Sequence, residues 1–315
     1  MKIIELKQEL PLLFAIIFVA VIIVAILTLF NKKSDVLISL QVEALSFKTQ
    51  NDLINLFALS RTIDKTSVFV QHFSSFEAHH WTDEGGLEVN NTTSSDISDR
   101  LILKNVYVDE LDIPKGVSIT LSSTDSEIEQ VSVHFQDTES NFNFHPIGND
   151  SSYNFNDLGR EKINEDGKFT VKPSDGKLNL SFRFESEAGL MESEIIKIDH
   201  LVVNKMINPT LQPSIKSGKI EILSTGEELS IHKNARLYFQ EKDIFLITDL
   251  FVKNGLINVV LEGSTSSIYY GSNRSNIIPN YLYFFAKNNF VLIIFNTVFV
   301  LITFMMALVR FTNEN

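Results

Sequence analysis

Six side chains that bind transition metals fall between positions 72 and 84: His72, Glu77, His79, His80, Asp83 and Glu84. Imidazoles hold zinc or copper when they converge at about 2 Å on one ion. In an extended segment the adjacent His79 and His80 point to opposite faces, so only one of them can join His72. His72, His79 and His80 are therefore the candidate metal ligands, against the plainer reading of a polar loop beside a half-buried Trp81. No resident cofactor is expected.

Catalytic signatures are missing. The sequence has no G-x-S-x-G elbow, no H-E-x-x-H, no G-x-x-x-x-G-K-[ST] and no G-x-G-x-x-G. Carboxylates such as Asp109, Glu110 and Asp112, or Asp125, Glu127 and Glu129, offer pairs for general acid–base work. Glu127 and Glu129 would share one strand face, which more simply makes that face a solvated one. Cysteine is absent, which excludes thiolate catalysis, disulfides and cysteine-ligated zinc or iron–sulfur centres. No catalytic residue is assigned, and a non-enzymatic role is expected.

The remaining candidates concern helices. Residues 11–30 and 290–309 carry no charge, and about 20 apolar residues are what a helix needs to cross roughly 30 Å of hydrocarbon. Two transmembrane helices are expected there. Asn289, Asn296, Thr303 and Arg310 recur every seventh position, on one stripe of the second helix. Asn296 and Thr303 would lie in the hydrocarbon and serve helix association. Tyr281, Tyr283, Phe284 and Phe285 would form an aromatic belt at the membrane interface, with Lys287 and Arg310 reaching for water.

These expected spans leave residues 31–289 on one side of the bilayer. The tails pair Lys2, Lys7 and Arg310 against Glu5, Glu9 and Glu314, so the middle carries all of the net −12. An acidic surface repels phosphate backbones, and no nucleic acid partner is expected. The lipid bilayer is, with a second copy of the chain or another membrane protein. Flanking cations balance, Lys2, Lys7 and Arg310 against Lys32, Lys33 and Lys287. A short tail before a signal anchor favours tails inside. The expected location is a bacterial inner membrane, with the middle region on the extracytoplasmic side.

Within that region the dominant period is two. Ile38, Leu40, Val42 and Ala44 alternate with Ser39, Gln41 and Glu43, and the same alternation recurs at Val117, Ile119 and Leu121 and at Val131, Val133 and Phe135. Such strands bury one face and wet the other. Pro173-Ser174-Asp175-Gly176 predicts a hairpin between 169–171 and 178–184, Ser224-Thr225-Gly226 another turn, and Asn254-Gly255 a type I′ hairpin. Residues 51–60 have helical spacing, and 88–98 read as an exposed loop. Ser275 or Asn276 would cap a helix with Pro279 in its first turn.

The expected fold class is a membrane-anchored all-β protein: two transmembrane helices bracketing an antiparallel β-sandwich or jelly-roll-like domain. Its parts are tail 1–10, helix 11–30, a β-rich part 31–136, a polar linker 137–167, a second β-rich part 168–274, an interfacial helix start 275–289, helix 290–309 and tail 310–315. Such a chain suits a binding, scaffold or sensor subunit of an oligomeric cell-envelope complex. The alternatives are an effector whose oligomerising helices alter bilayer permeability, and a tethered enzyme acting on envelope material.

Overall fold

Alternating apolar and polar residues build this protein, because a strand that buries every second side chain against a neighbour removes apolar surface from water along its whole length. The computed structural model describes residues 33–50, 67–81, 87–94, 96, 99–108, 113–123, 130–148, 150–156, 159–162, 167–183, 195–207, 210–278, 296–300 and 302–303. The chain divides into two units, 35–277 and the two ends 1–34 and 278–315 taken together.

The first strands are β1 (Ser34–Val42), β2 (Ala44–Thr49), β3 (Ser67–Gln71), β4 (Phe73–Trp81), β5 (Leu87–Thr93), β6 (Leu101–Lys104), β7 (Val106–Val108) and β8 (Ser118–Ser123). There follow β9 (Gln130–Gln136), β10 (Phe142–Pro146), β11 (Ser152–Phe155), β12 (Arg160–Lys162), β13 (Lys168–Pro173), β14 (Leu178–Arg183), β15 (Ile196–Val202) and β16 (Asn204–Ile207). The last are β17 (Thr210–Pro213), β18 (Ile215–Ile222), β19 (Glu227–Ile231), β20 (Leu237–Phe239), β21 (Phe245–Lys253), β22 (Leu256–Thr265), β23 (Ile268–Tyr270) and β24 (Ser275–Asn276).

Fourteen strands join in one sheet, in the order β12-β11-β6-β3-β14-β9-β8-β2-β15-β21-β22-β1-β18-β19. A five-stranded sheet, β5-β4-β13-β10-β7, packs on its first half through aromatic rings. Phe76 meets Tyr153 at 5.0 Å between ring centroids, and Phe135 meets Phe142 at 4.8 Å. Phe169 stacks on Phe76 and meets Tyr153 edge-on. Phe76, Phe135, Phe142, Phe144 and Phe169 are fully buried. A three-stranded sheet, β20-β23-β24, meets the second half of the large sheet through Phe239 and Phe245.

β1 and β2 are separated by Glu43 alone, yet β1 lies between β22 and β18 while β2 lies between β8 and β15. One strand run in two places forces the second half of the sheet to curl over. The curl is tied where its ends meet. Ser123, at the end of β8, donates its hydroxyl to the carbonyl of Gly255 in the β21–β22 turn, and Ser214 Oγ donates to Ala44 O at 2.7 Å. Glu43 N–H donates to Ser214 O, and Glu43 O accepts from Ser123 N–H.

The turns behave as their chemistry requires. Asn254 and Gly255 have φ of +52° and +66°, as a type I′ turn demands, and β21 pairs with β22 across them. Asp175 and Gly176 have φ of +49° and +71°, but the predicted hairpin does not form around them. β13 enters the five-stranded sheet and β14 the large one, so this tight turn is a step between layers.

Other segments differ from expectation. Of the residues 88–98 read as loop, 88–93 belong to β5 and pair with β4; an edge strand needs only its backbone satisfied, so Asn and Thr serve. The stretch 137–167 contains β10, β11 and β12, with Phe142, Phe144 and Tyr153 buried. Ser275 and Asn276 do not cap a helix; they pair as β24 with Tyr270 and Tyr269.

The expectation of a membrane-anchored, two-pass chain is corrected. Among the described residues, no helix is long and apolar enough to cross a membrane. The described helical residues are 296–300 and 302–303. An uncharged run measures apolarity, which is not the same as a helix of spanning length. Residues 11–30, the other residues of 290–309 and the predicted helix at 51–60 lie outside the described residues.

Candidate ligand-binding face

Seven consecutive strands of the large sheet, β11, β6, β3, β14, β9, β8 and β2, contain not one Asp or Glu. About one residue in eight of the whole chain is acidic, so this is a local reversal of its charge. One face of these strands is core: Leu45, Phe47, Val68, Val70, Leu101, Leu103, Ile119, Leu121, Val131, Val133, Phe135, Leu178, Leu180 and Phe182 are all buried. The alternation that buries them turns their neighbours outward.

Strand pairing sets the outward residues in rows, because directly opposed residues share a face. One row runs Ser46, Thr120, His134, Asn179 and Gln71 across β2, β8, β9, β14 and β3. At about 4.8 Å per strand it spans roughly 19 Å. The next runs Ser122, Ser132, Ser181, Phe69 and Ile102. Hydrogen bonds bridge neighbouring strands: Ser46 Oγ to Thr120 Oγ1 at 2.9 Å, Ser132 Oγ to Ser181 Oγ at 2.9 Å, and His134 Nδ1 to Asn179 Oδ1 at 2.7 Å. The last pairing makes Nδ1 the donor, since an amide oxygen only accepts.

Cations rim this neutral centre. Lys48 follows Ser46 on β2, Arg183 ends β14 and Lys104 ends β6. The Arg100 guanidinium lies 4.5 Å above the Phe69 ring, a cation–π contact made by an exposed residue. Carboxylates resume on β15, where Asp199 stands opposite Lys48. Asp199 Oδ2 accepts from Gln50 Nε2 at 2.5 Å, and His200 Nδ1 lies 3.0 Å from Oδ1 without hydrogen-bond geometry.

A second charged node sits at the bend between β1 and β2. Glu43 pairs with Lys216 at 2.6 Å and Lys205 at 3.6 Å. Burial pushes its carboxyl up, but the hydrogen bond from Lys216 and the charges of both lysines outweigh that and hold it below the usual carboxylate range. At the sheet edge, the Lys219 ammonium is pushed up by its hydrogen bond to Glu228 at 2.7 Å, with the nearby Glu221 charge adding to it.

His72 and His79 do not converge. His72, with φ of +58°, forms the bend between β3 and β4. His79 lies seven residues further along β4, roughly 20 Å away in an extended strand. Its Nε2 lies 3.3 Å from Glu77 Oε2 on the same strand. His80 lies on β4 opposite Glu88. Among the described residues, no group of three or more metal-binding side chains forms. Asn296 and the exposed Phe299 lie on the described helical residues, where Thr303 Oγ1 donates to Phe299 O at 2.8 Å. Tyr281, Tyr283, Phe284, Phe285, Lys287 and Arg310 lie outside the described residues.

The polar face itself escaped the sequence reading. Its signal was present as a shortage of acids in seven short segments scattered from 44 to 183, but only strand order makes them neighbours. Fold and face together define an all-β, multi-sheet, sandwich-like protein. The chain matches no family model and no curated protein.

Proposed function

We propose that the protein is a non-enzymatic binding or scaffold subunit of a cell-envelope assembly, and that it engages its partner through the outward face of β2, β8, β9, β14 and β3. The acid-free face in a chain of net charge −12 is the observation that carries this reading. Binding specificity needs donors and acceptors held in fixed positions, and cross-strand hydrogen bonds hold these. The envelope location is supported by the uncharged runs 11–30 and 290–309 as sequence, and by no helix. The experiment is co-sedimentation of the full-length protein with isolated envelope material. Wild type is expected in the pellet and Thr120→Glu combined with Ser181→Glu in the supernatant, with unchanged circular dichroism. Equal pelleting of both would refute the reading.

A further inference from the structure

We infer that this face takes an anionic glycan, a hydroxyl-rich polymer with sparse carboxylates; the inference rests on the binding role proposed above. Charge complementarity carries it. Elsewhere the chain's acidity repels an anion, whereas here seven adjacent strands offer none of that repulsion and place Lys48, Lys104, Arg183 and Arg100 around the centre. The centre itself favours sugar over protein. Protein interfaces concentrate aromatic residues, Met and Arg at their cores and are poor in Ser. The middle rows here are Ser46, Thr120, His134, Asn179, Ser122 and Ser181 around the buried Ser132, with Phe69 the one phenyl ring beside them. Hydroxyls bonded to each other keep spare lone pairs, so the ladder can still accept and donate to a second layer of hydroxyls. A flat tract roughly 19 Å long suits an extended chain better than a small ligand. The four cations are dispersed along the rim instead of forming the dense strip that a nucleic-acid backbone requires.

Affinity electrophoresis of the full-length protein in gels containing polygalacturonate tests this. Mobility is expected to fall with polygalacturonate, to recover as salt is raised, and to be unaffected by neutral hydroxyethyl cellulose. The triple variant Lys48→Gln, Lys104→Gln, Arg183→Gln alters only partly or fully exposed side chains and is expected to bind at least tenfold more weakly. Thr120→Val, which keeps the β-branched shape, is expected to weaken binding severalfold. Lys219→Gln, at the β18–β19 edge, is expected to bind as wild type. Equal retardation by poly-glutamate would overturn the glycan assignment, and equal retardation by the neutral polymer would overturn the charge argument. No retardation by polygalacturonate, or no loss in the triple variant, would also overturn the inference. If envelope co-sedimentation survives any of these results, the inference falls and the binding role stands.

Discussion

Replacing Glu43 by Gln removes one negative charge from the bend that lets β1 and β2 occupy two places in one sheet. Two lysines lose their counter-ion, Lys216 at 2.6 Å and Lys205 at 3.6 Å. A hydrogen bond to a charged group contributes about 1.5–3 kcal/mol when well shielded, and an exposed ion pair about 0.2–1 kcal/mol. The Glu43 side chain is 26% exposed and its lysines 30% and 37%, which places the loss between these limits, at about 1–2 kcal/mol. For a unit of this size that lowers Tm by roughly 2–8 °C at pH 7. The sign with pH follows from the depressed carboxyl. A carboxylate held below its usual range stabilises the fold fully above that range, and the contribution is lost as pH falls through its lowered folded value. Melting curves of wild type and Glu43→Gln should therefore separate at pH 7 and converge as pH drops below the usual carboxylate range. A double-mutant cycle with Lys216→Met should give a coupling that disappears over the same interval. Equal Tm values at pH 7, or a gap that widens in acid, would refute the assignment of this bend to the ion pair.

Three further outcomes follow from packing and hydrogen bonding. Gly218→Ala places a Cβ 2.5 Å from Leu40 Cδ2 and 2.8 Å from the carbonyl oxygen of Ser39; because the second is backbone, β1 and β18 must part, and urea denaturation should show a loss of about 1–3 kcal/mol. Phe76→Ala removes a fully buried ring that touches Tyr153 and Phe169 and should cost about 3–5 kcal/mol by the same assay. Thr49→Val keeps the shape but deletes a buried hydroxyl that donates to Pro114 O at 3.0 Å and accepts from Val117 N–H at 3.2 Å. It should cost about 1–3 kcal/mol, with faster amide exchange at Val117.

Local features were legible because they depend on a few neighbouring residues. The alternation of Ile38, Leu40 and Val42 gave β1 with these residues inward, whereas Ala44, read in the same run, begins β2 after the break at Glu43. Asn254-Gly255 specified its hairpin because only residues tolerant of positive φ satisfy a two-residue I′ loop. Ser224-Thr225-Gly226 likewise turns between β18 and β19. Misreadings arose where a neighbour in space supplied what the segment lacked. Residues 88–93 look like a loop until β4 offers its backbone. Phe142 and Phe144, two ring positions in an otherwise polar stretch, gain their meaning from Phe135 and the layer beneath.

By itself the sequence determined the acidic balance, the lack of thiol chemistry, the strand-forming alternation and the tight turns, all set by residue type and short spacing. Tertiary structure alone decided which strands became neighbours. The Asp175-Gly176 turn is the same whether its arms pair or part, and only burial of Phe169 against one layer and Leu180 in the other sends β13 and β14 into separate sheets. The same long-range pairing gathers seven acid-free segments between 44 and 183 side by side. Sheet pairing carries no sequence-local signature, because a backbone hydrogen bond is nearly indifferent to the side chains on either side of it.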